Sequence, residues 1–152
     1  MDSTQKLSTN EILEKLEADE EVSEMQIDFP DTKTLRSDIY RDISERFSSQ
    51  FQCAQECHIS PSFLNEFLNS NKHMRRDKLL CLCIGLEYDI AKTRAALRRG
   101  RVADLYPRDA RDYLILNALR LHTSLDKLNE QLLARGFDPL YEEDTKRKDS
   151  KN

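Results

Sequence analysis

The chain has 152 residues, 38% of them hydrophobic and 34% charged, with only 3 Gly and 4 Pro. That length predicts one domain of ordinary size with flexible ends, and so few Gly and Pro leave little room for the turns of an all-β fold. No run of 18 apolar residues and no basic-then-apolar leader occurs, so a cytoplasmic protein with no membrane partner is expected.

The formal net charge of −4 is unevenly distributed. Residues 1–31 carry two lysines, Lys6 and Lys15, against ten carboxylates, a local charge of −8. Residues 72–112 carry eleven Lys and Arg against six carboxylates, a local charge of +5. A basic cluster of this kind is the electrostatic footprint of a nucleic-acid binder, while solvated helix faces produce similar runs.

In chain order, residues 8–20 read as a short amphipathic helix capped by Ser8 or Thr9, with Ile12, Leu13 and Leu16 as its apolar stripe. Phe29-Pro30-Asp31 ends this acidic arm. A second helix runs from about Thr34 to Arg46, with Leu35, Ile39, Ile43 and Phe47 spaced at four and facing the core.

Ser49 to Lys72 predicts two short helices around a tight turn. Cys53, Ala54 and Cys57 share one face of the first, Ile59 fills the turn, and Leu64, Phe67 and Leu68 share one face of the second. Ala54 provides the small side chain that a steep crossing requires. A polar loop, Asn69 to Met74, leads to an apolar helix over Asp77–Leu86. Asp89 caps a further helix to Arg99, which Gly100 is expected to stop in the left-handed conformation.

Leu105-Tyr106-Pro107 forms an extended joint. Asp109 opens a helix to about Leu121, with Asp112 favouring its positive end. Thr123 or Ser124 caps the last helix, whose Leu125, Leu128, Leu132 and Leu133 are expected to face inward and which Gly136 closes. The charged tail after the hairpin lacks a packing stripe and is expected to be disordered.

Four cysteines, Cys53, Cys57, Cys81 and Cys83, fall inside these helical patterns. Cys53, Cys57 and adjacent His58 admit a zinc reading. Against it, no CxxC occurs, and Cys81 and Cys83, two apart, point to different sides of a helix. Buried thiols acting as small hydrophobes are expected instead, with no metal and no cofactor.

These residues resemble the lambda-repressor-like, Cro-type (XRE) helix-turn-helix family over residues 34–97. Gln50, Cys53, Ala54, Cys57, Ile59, Leu64 and Phe67 stand at that family's Gln, Leu, Ala, Leu, Val, Ile and Ile positions. Most of residues 9–140 is similar to a subgroup of small helix-turn-helix proteins common in Gram-positive bacteria. That similarity rests on Arg75-Arg76-Asp77-Lys78-Leu79-Leu80, Leu105-Tyr106-Pro107-Arg108-Asp109-Ala110-Arg111-Asp112 and Asn129-Glu130-Gln131-Leu132-Leu133.

The resemblance implies an all-α chain. A five-helix lambda-repressor-like helix-turn-helix domain would occupy 33–104, after an acidic N-terminal arm with a short helix (1–32). A C-terminal helical hairpin (105–140) and a disordered tail (141–152) would follow. It also implies DNA binding by the helix from Ser60 to Asn69. Gln50 would brace phosphate; Ser60, Ser62, Phe63, Asn65 and Asn69 would approach base edges; Lys72, Arg75 and Arg76 would supply positive charge. Asn65 and Asn69 have a physical route to base readout, because an amide can bond adenine bidentately.

The chain departs from the family pattern in several places. His58 stands at the turn Gly, Ser70 follows the second helix where Gly is usual, and that helix has Glu66 and no Lys or Arg.

Two functions are therefore expected in competition. One is a sequence-specific, dimeric DNA-binding transcriptional regulator acting on double-stranded DNA. The other is a protein-interaction adaptor that keeps the scaffold and reads a protein, with the hairpin or the acidic arm as a partner surface. No Gly-rich phosphate loop or His/Asp/Ser constellation supports catalysis, so an enzyme is not expected. Arg111 and Asp112 are expected to bridge the hairpin joint, and the Leu-rich hairpin to form a dimer seam.

Overall fold

A computed structural model describes residues 6–22, 32–70 and 72–142. The chain divides into two compact units, Met1–Pro30 and Asp31–Asn152. The described residues are all-helical, with eight helices and no strand. None of these helices is long and apolar enough to cross a membrane. The Phe29-Pro30-Asp31 break and the tail from residue 143 lie outside the described residues.

In the first unit, α1 (Thr9–Glu17) opens on Ser8, whose hydroxyl accepts from the Glu11 N–H while the Glu11 carboxylate accepts from the Ser8 N–H. This reciprocal capping box satisfies two orphan donors. Leu13 and Leu16 of its apolar stripe are exposed.

The second unit begins with α2 (Thr32–Arg46), which buries Leu35, Ile39 and Ile43 on one face. Then come α3 (Gln50–Glu56) and α4 (Pro61–Asn69), the two short helices expected around the turn. The next helix, α5 (Arg76–Gly85), differs from the amphipathic rule: Leu79, Leu80, Cys81, Leu82, Cys83 and Ile84 are all buried. A helix apolar on every side belongs at the centre, and α5 packs against both α6 (Ile90–Arg99) and α8 (Leu125–Ala134). Cys81 and Cys83 do leave the helix in different directions, but both directions lead into core. Between α6 and α8 lies α7 (Ala110–Leu121). One continuous hydrophobic cluster runs from Leu35 to Leu140 and includes Ile115, Ala118, Leu128 and Leu132 of the hairpin.

The helix ends explain the scarcity of glycine. Asp19, His58, Glu87, Arg101, His122 and Gly136 all have positive φ, between 56° and 82°. After α3, the Ile59 N–H bonds Ala54 O and the His58 N–H bonds Gln55 O, the paired bonds of a Schellman motif. The same pairing recurs at Glu20 and Asp19 after α1, at Tyr88 and Glu87 after α5, at Val102 and Arg101 after α6, at Thr123 and His122 after α7, and at Phe137 and Gly136 after α8. Among these six Schellman ends only Gly136 uses the residue that adopts the conformation without steric cost.

Gly100 therefore does not stop α6 as expected. Its φ is −81°, and Arg101, at 61°, carries the left-handed turn. Gly100 is needed for space: a Cβ there would come within 2.7 Å of Leu79 Cδ2. Gly85 is similarly tight, with a Cβ reaching 2.3 Å from Cys57 Sγ, so α5 runs directly over the end of α3.

Two further expectations change. Leu133 does not face inward; it is 53% exposed, because α8 turns Leu125, Leu128, Asn129 and Leu132 to the core. The described residues also reach two positions into the expected tail, to Glu142. Leu140 is buried, its N–H donating to Asn129 Oδ1 at 2.6 Å, while Asn129 Nδ2 donates to Tyr141 O at 3.2 Å. Arg111 donates to the carbonyls of Asp138 and Pro139. The segment 137–141 is thus strapped along α7 and α8.

The hairpin joint is a crossed exchange between two Arg-Asp dipeptides. Arg76 of α5 pairs with Asp112 of α7 at 2.8 Å, and Arg111 of α7 pairs with Asp77 of α5 at 3.1 Å. Arg111 and Asp112 do bridge the joint, each to a partner on α5 rather than to one another.

Candidate nucleic-acid interface

The turn between α3 and α4 is built locally. Ser49 caps α3 by accepting from the Gln52 N–H, and Ser60 caps α4 by accepting from the Phe63 N–H, with Pro61 in the first turn. Ala54, Cys53 and Cys57 are fully buried between the helices, and Ile59 closes the turn from inside.

His58 occupies the left-handed position in place of glycine, and the hairpin holds it there. Its ring stacks on Tyr141 with centroids 3.6 Å apart and planes 3° apart. Its Nε2 donates to Asp126 Oδ1 at 2.8 Å, and the Tyr141 hydroxyl donates to the same oxygen at 2.6 Å. The Tyr141 hydrogen bond, opposed by partial burial and helped by His58, holds the Asp126 carboxyl below its usual range.

The exposed edge of α4 is polar. Ser60 and Ser62 exchange a hydrogen bond at 3.0 Å. Gln50 Nε2 donates to Asn65 Oδ1 at 3.4 Å, and Asn69 Nδ2 donates to Asn65 O and Oδ1 at 2.9 and 2.8 Å. Gln50, Asn65 and Asn69 thereby form a chain of amides from the start of α3 to the end of α4. Phe63 is half-buried against the core, and its ring lies under two ammonium groups, Lys72 at 5.3 Å and Lys78 at 5.1 Å. Lys72 also contacts Glu66 at 3.6 Å, which offsets the one carboxylate on α4.

The cationic residues named from sequence separate into two groups. Lys72 and Arg75 are exposed beside α4. Arg76 points the other way, donating to Ala103 O, Asp104 O and Asp112 Oδ2. Arg94 is likewise paired, with Asp104 at 2.8 Å, and Arg99 with Asp38 at 3.0 Å.

Sequence reasoning missed Lys33 and Arg36, which line a groove with Leu68 and Asn69 at the end of α4. It also missed Lys78, beside Phe63. The signal was present: Lys33 and Arg36 are spaced by three on α2, along the flank of the Leu35, Ile39 and Ile43 stripe.

The thiols do not take part in this surface. All four cysteines are free and buried, and burial pushes the Cys81 and Cys83 thiols up to about 12. Among the described residues no cluster of three or more His, Cys, Asp or Glu has a metal-holding arrangement.

No family model matches the chain, and neither the curated proteins nor the solved structures give a match.

Proposed function

We propose that the chain is a sequence-specific DNA-binding regulator of the lambda-repressor-like helix-turn-helix type, with α4 entering the major groove. The observation that carries this reading is the surface around α4. A polar edge of Ser60, Ser62, Asn65 and Asn69 is flanked on both sides by Lys33, Arg36, Lys72, Arg75 and Lys78. Side-chain amides and hydroxyls read base edges, while flanking cations position the protein on phosphate. Arg76 has no part in this reading, since its guanidinium belongs to the hairpin joint. A single half-site gives weak binding, so the active species is read as a homodimer.

Glu66 and the absence of Lys or Arg along α4 favour a second reading. In it the same surface, with half-buried Phe63 at its centre, meets a protein and not DNA.

Fluorescence anisotropy with a labelled random duplex across a salt series separates the two. Five phosphate contacts predict a slope of log K against log salt of roughly −4 to −5. Lys72→Ala and Arg36→Ala should each flatten it by about one, whereas Asn65→Ala should leave it unchanged and alter base preference in a selection experiment. Absence of binding even at low salt removes the DNA reading and leaves the adaptor.

A further inference from the structure

The side of α7 away from the core is short of charge. The helix turns Asp112, Ile115, Ala118 and Leu119 inward. At spacings of three and four, its opposite side carries Ala110, Tyr113, Leu114, Asn117, Arg120 and Leu121. Tyr113 and Leu121 are 55% and 57% exposed, and Leu114 and Asn117 are half-buried. The solvent side of a surface helix normally carries charged residues, yet Arg120 is the one charged residue of this set. Its guanidinium is folded back along the helix, donating to Asn117 Oδ1 at 3.2 Å from Nε and 2.6 Å from Nη2.

The set is also symmetric about its middle. Tyr113 and Leu114 stand four and three positions before Asn117, and Arg120 and Leu121 stand three and four positions after it. Two copies of α7 laid antiparallel across a two-fold axis level with Asn117 therefore match each other. On one flank Leu114 of each copy meets Leu121 of the other. On the other flank the Arg120 side chain of each copy lies along the Tyr113 ring of the other, so each cation faces the negative side of a ring and the two cations stay apart. At the axis Asn117 faces itself. Its Oδ1 accepts from Arg120, while its Nδ2 makes no hydrogen bond among the described residues and is placed to donate across the axis. Such an isologous contact closes on itself, and one amide in an apolar seam selects a single register.

We propose that the chain pairs with a second copy of itself through this face of α7, antiparallel about Asn117. Two facing helices of this length bury roughly 800–1,000 Å² in all, the lower edge of specific interfaces, so the pairing is weak and reversible. The proposal builds on the homodimer of the DNA-binding reading. Its test contains no nucleic acid, so failure of the pairing and failure of DNA binding are read separately.

Sedimentation velocity of the full chain, reduced and free of nucleic acid, should show a reversible monomer–dimer equilibrium with a dissociation constant on the order of 10–100 µM. Leu121→Arg, at an exposed position, should keep the native circular dichroism and weaken the dimer at least about tenfold. Tyr113→Arg should do the same by setting a like charge against Arg120. Adding Arg120→Glu to Tyr113→Arg should restore association by at least about tenfold, because positions 113 and 120 lie opposite each other only in the antiparallel register. With oxidised glutathione as the oxidant, Asn117→Cys should form a disulfide-linked dimer faster than Lys127→Cys on α8, the native thiols being buried.

A chain that stays monomeric at about 500 µM overturns the proposal and leaves this face to a different protein. A folded Leu121→Arg variant that pairs as tightly as the native chain also overturns it. So does a paired charge exchange that fails to rescue, or Asn117→Cys linking no faster than Lys127→Cys.

Discussion

Replacing a left-handed residue by glycine should have opposite effects at Arg101 and at His58. Each residue sits at the left-handed position of a Schellman motif, with φ of 61° and 57°. Left-handed backbone costs a residue with a Cβ about 1–2 kcal/mol, part of which is returned through the greater freedom glycine gives the unfolded chain. At Arg101 the side chain makes no ion pair or hydrogen bond among the described residues, so Arg101→Gly should stabilise by about 0.5–1 kcal/mol. At His58 the same relief is set against two losses. The hydrogen bond to the Asp126 carboxylate contributes about 1.5–3 kcal/mol in general, discounted here because Asp126 is exposed, and the stack on Tyr141 about 0.5–1.5 kcal/mol. His58→Gly should therefore destabilise by about 1–2 kcal/mol net. Urea unfolding followed by helical circular dichroism reads both, and at this chain length each kcal/mol moves the midpoint temperature by about 2–4 °C. A gain at both positions would refute the argument that the hairpin holds the turn residue in place, and a loss at both would refute the argument that strain dominates at Arg101.

Four more outcomes follow from the same geometry. Asp112→Ala removes the buried carboxylate that neutralises Arg76, leaving it the Ala103 and Asp104 carbonyls, and strands the Tyr106 N–H, so unfolding free energy should fall by about 2–3 kcal/mol. Asp77→Ala should cost about 1 kcal/mol or less, because Asp77 is more exposed than Asp112 and its loss strands no Tyr106 N–H; equal losses in urea melts would contradict this ranking. Gly100→Ala should lower stability by about 1–3 kcal/mol through the clash with Leu79, and a neutral result would show that Leu79 can move aside. Acid should destabilise the fold through three carboxyls. Asp42 is held below its usual range by Tyr88 and Lys92 against the opposing effect of burial, Asp104 chiefly by Arg94, and Asp126 chiefly by Tyr141. Since these folded-state values are depressed, their contribution is complete above the unfolded carboxyl value near 4 and is lost as pH falls through the folded values. The triple variant Asp42→Asn/Asp104→Asn/Asp126→Asn should be less stable at pH 7 and show a flatter loss between pH 5 and pH 2, measured by urea midpoints.

The helices were legible because they rest on local signals. Ser8, Ser49, Ser60, Asp89, Asp109 and Ser124 each cap the helix they precede, and the period-four stripe of α2 is the one that is buried. What was not legible depended on distant residues. Gly100 reads as a left-handed stop until Leu79 is seen against it, and Arg76 reads as a phosphate ligand until Asp112, 36 residues away, is seen to take it. Leu133 reads as core because the stripe of α8 is broad, yet Asn129 takes the inward position by binding the strap at 140 and 141. On the candidate site, the polar edge of α4 was visible, but the cations of α2 that flank it were not, since only packing brings Lys33 and Arg36 beside Asn69.

The clasp of His58 by Asp126 and Tyr141 also bears on how the chain is made. Asp126 lies 68 residues after His58, and Tyr141 follows later still. At translation speeds of about 5–20 residues per second, the turn leaves the ribosome several seconds before the groups that hold it are synthesised. During that interval α3 and α4 are joined by a strained histidine with nothing gripping its ring. A nascent chain halted before residue 126 therefore carries a complete α3–α4 pair whose turn is not yet locked, and maturation of this surface waits on the last residues of the hairpin.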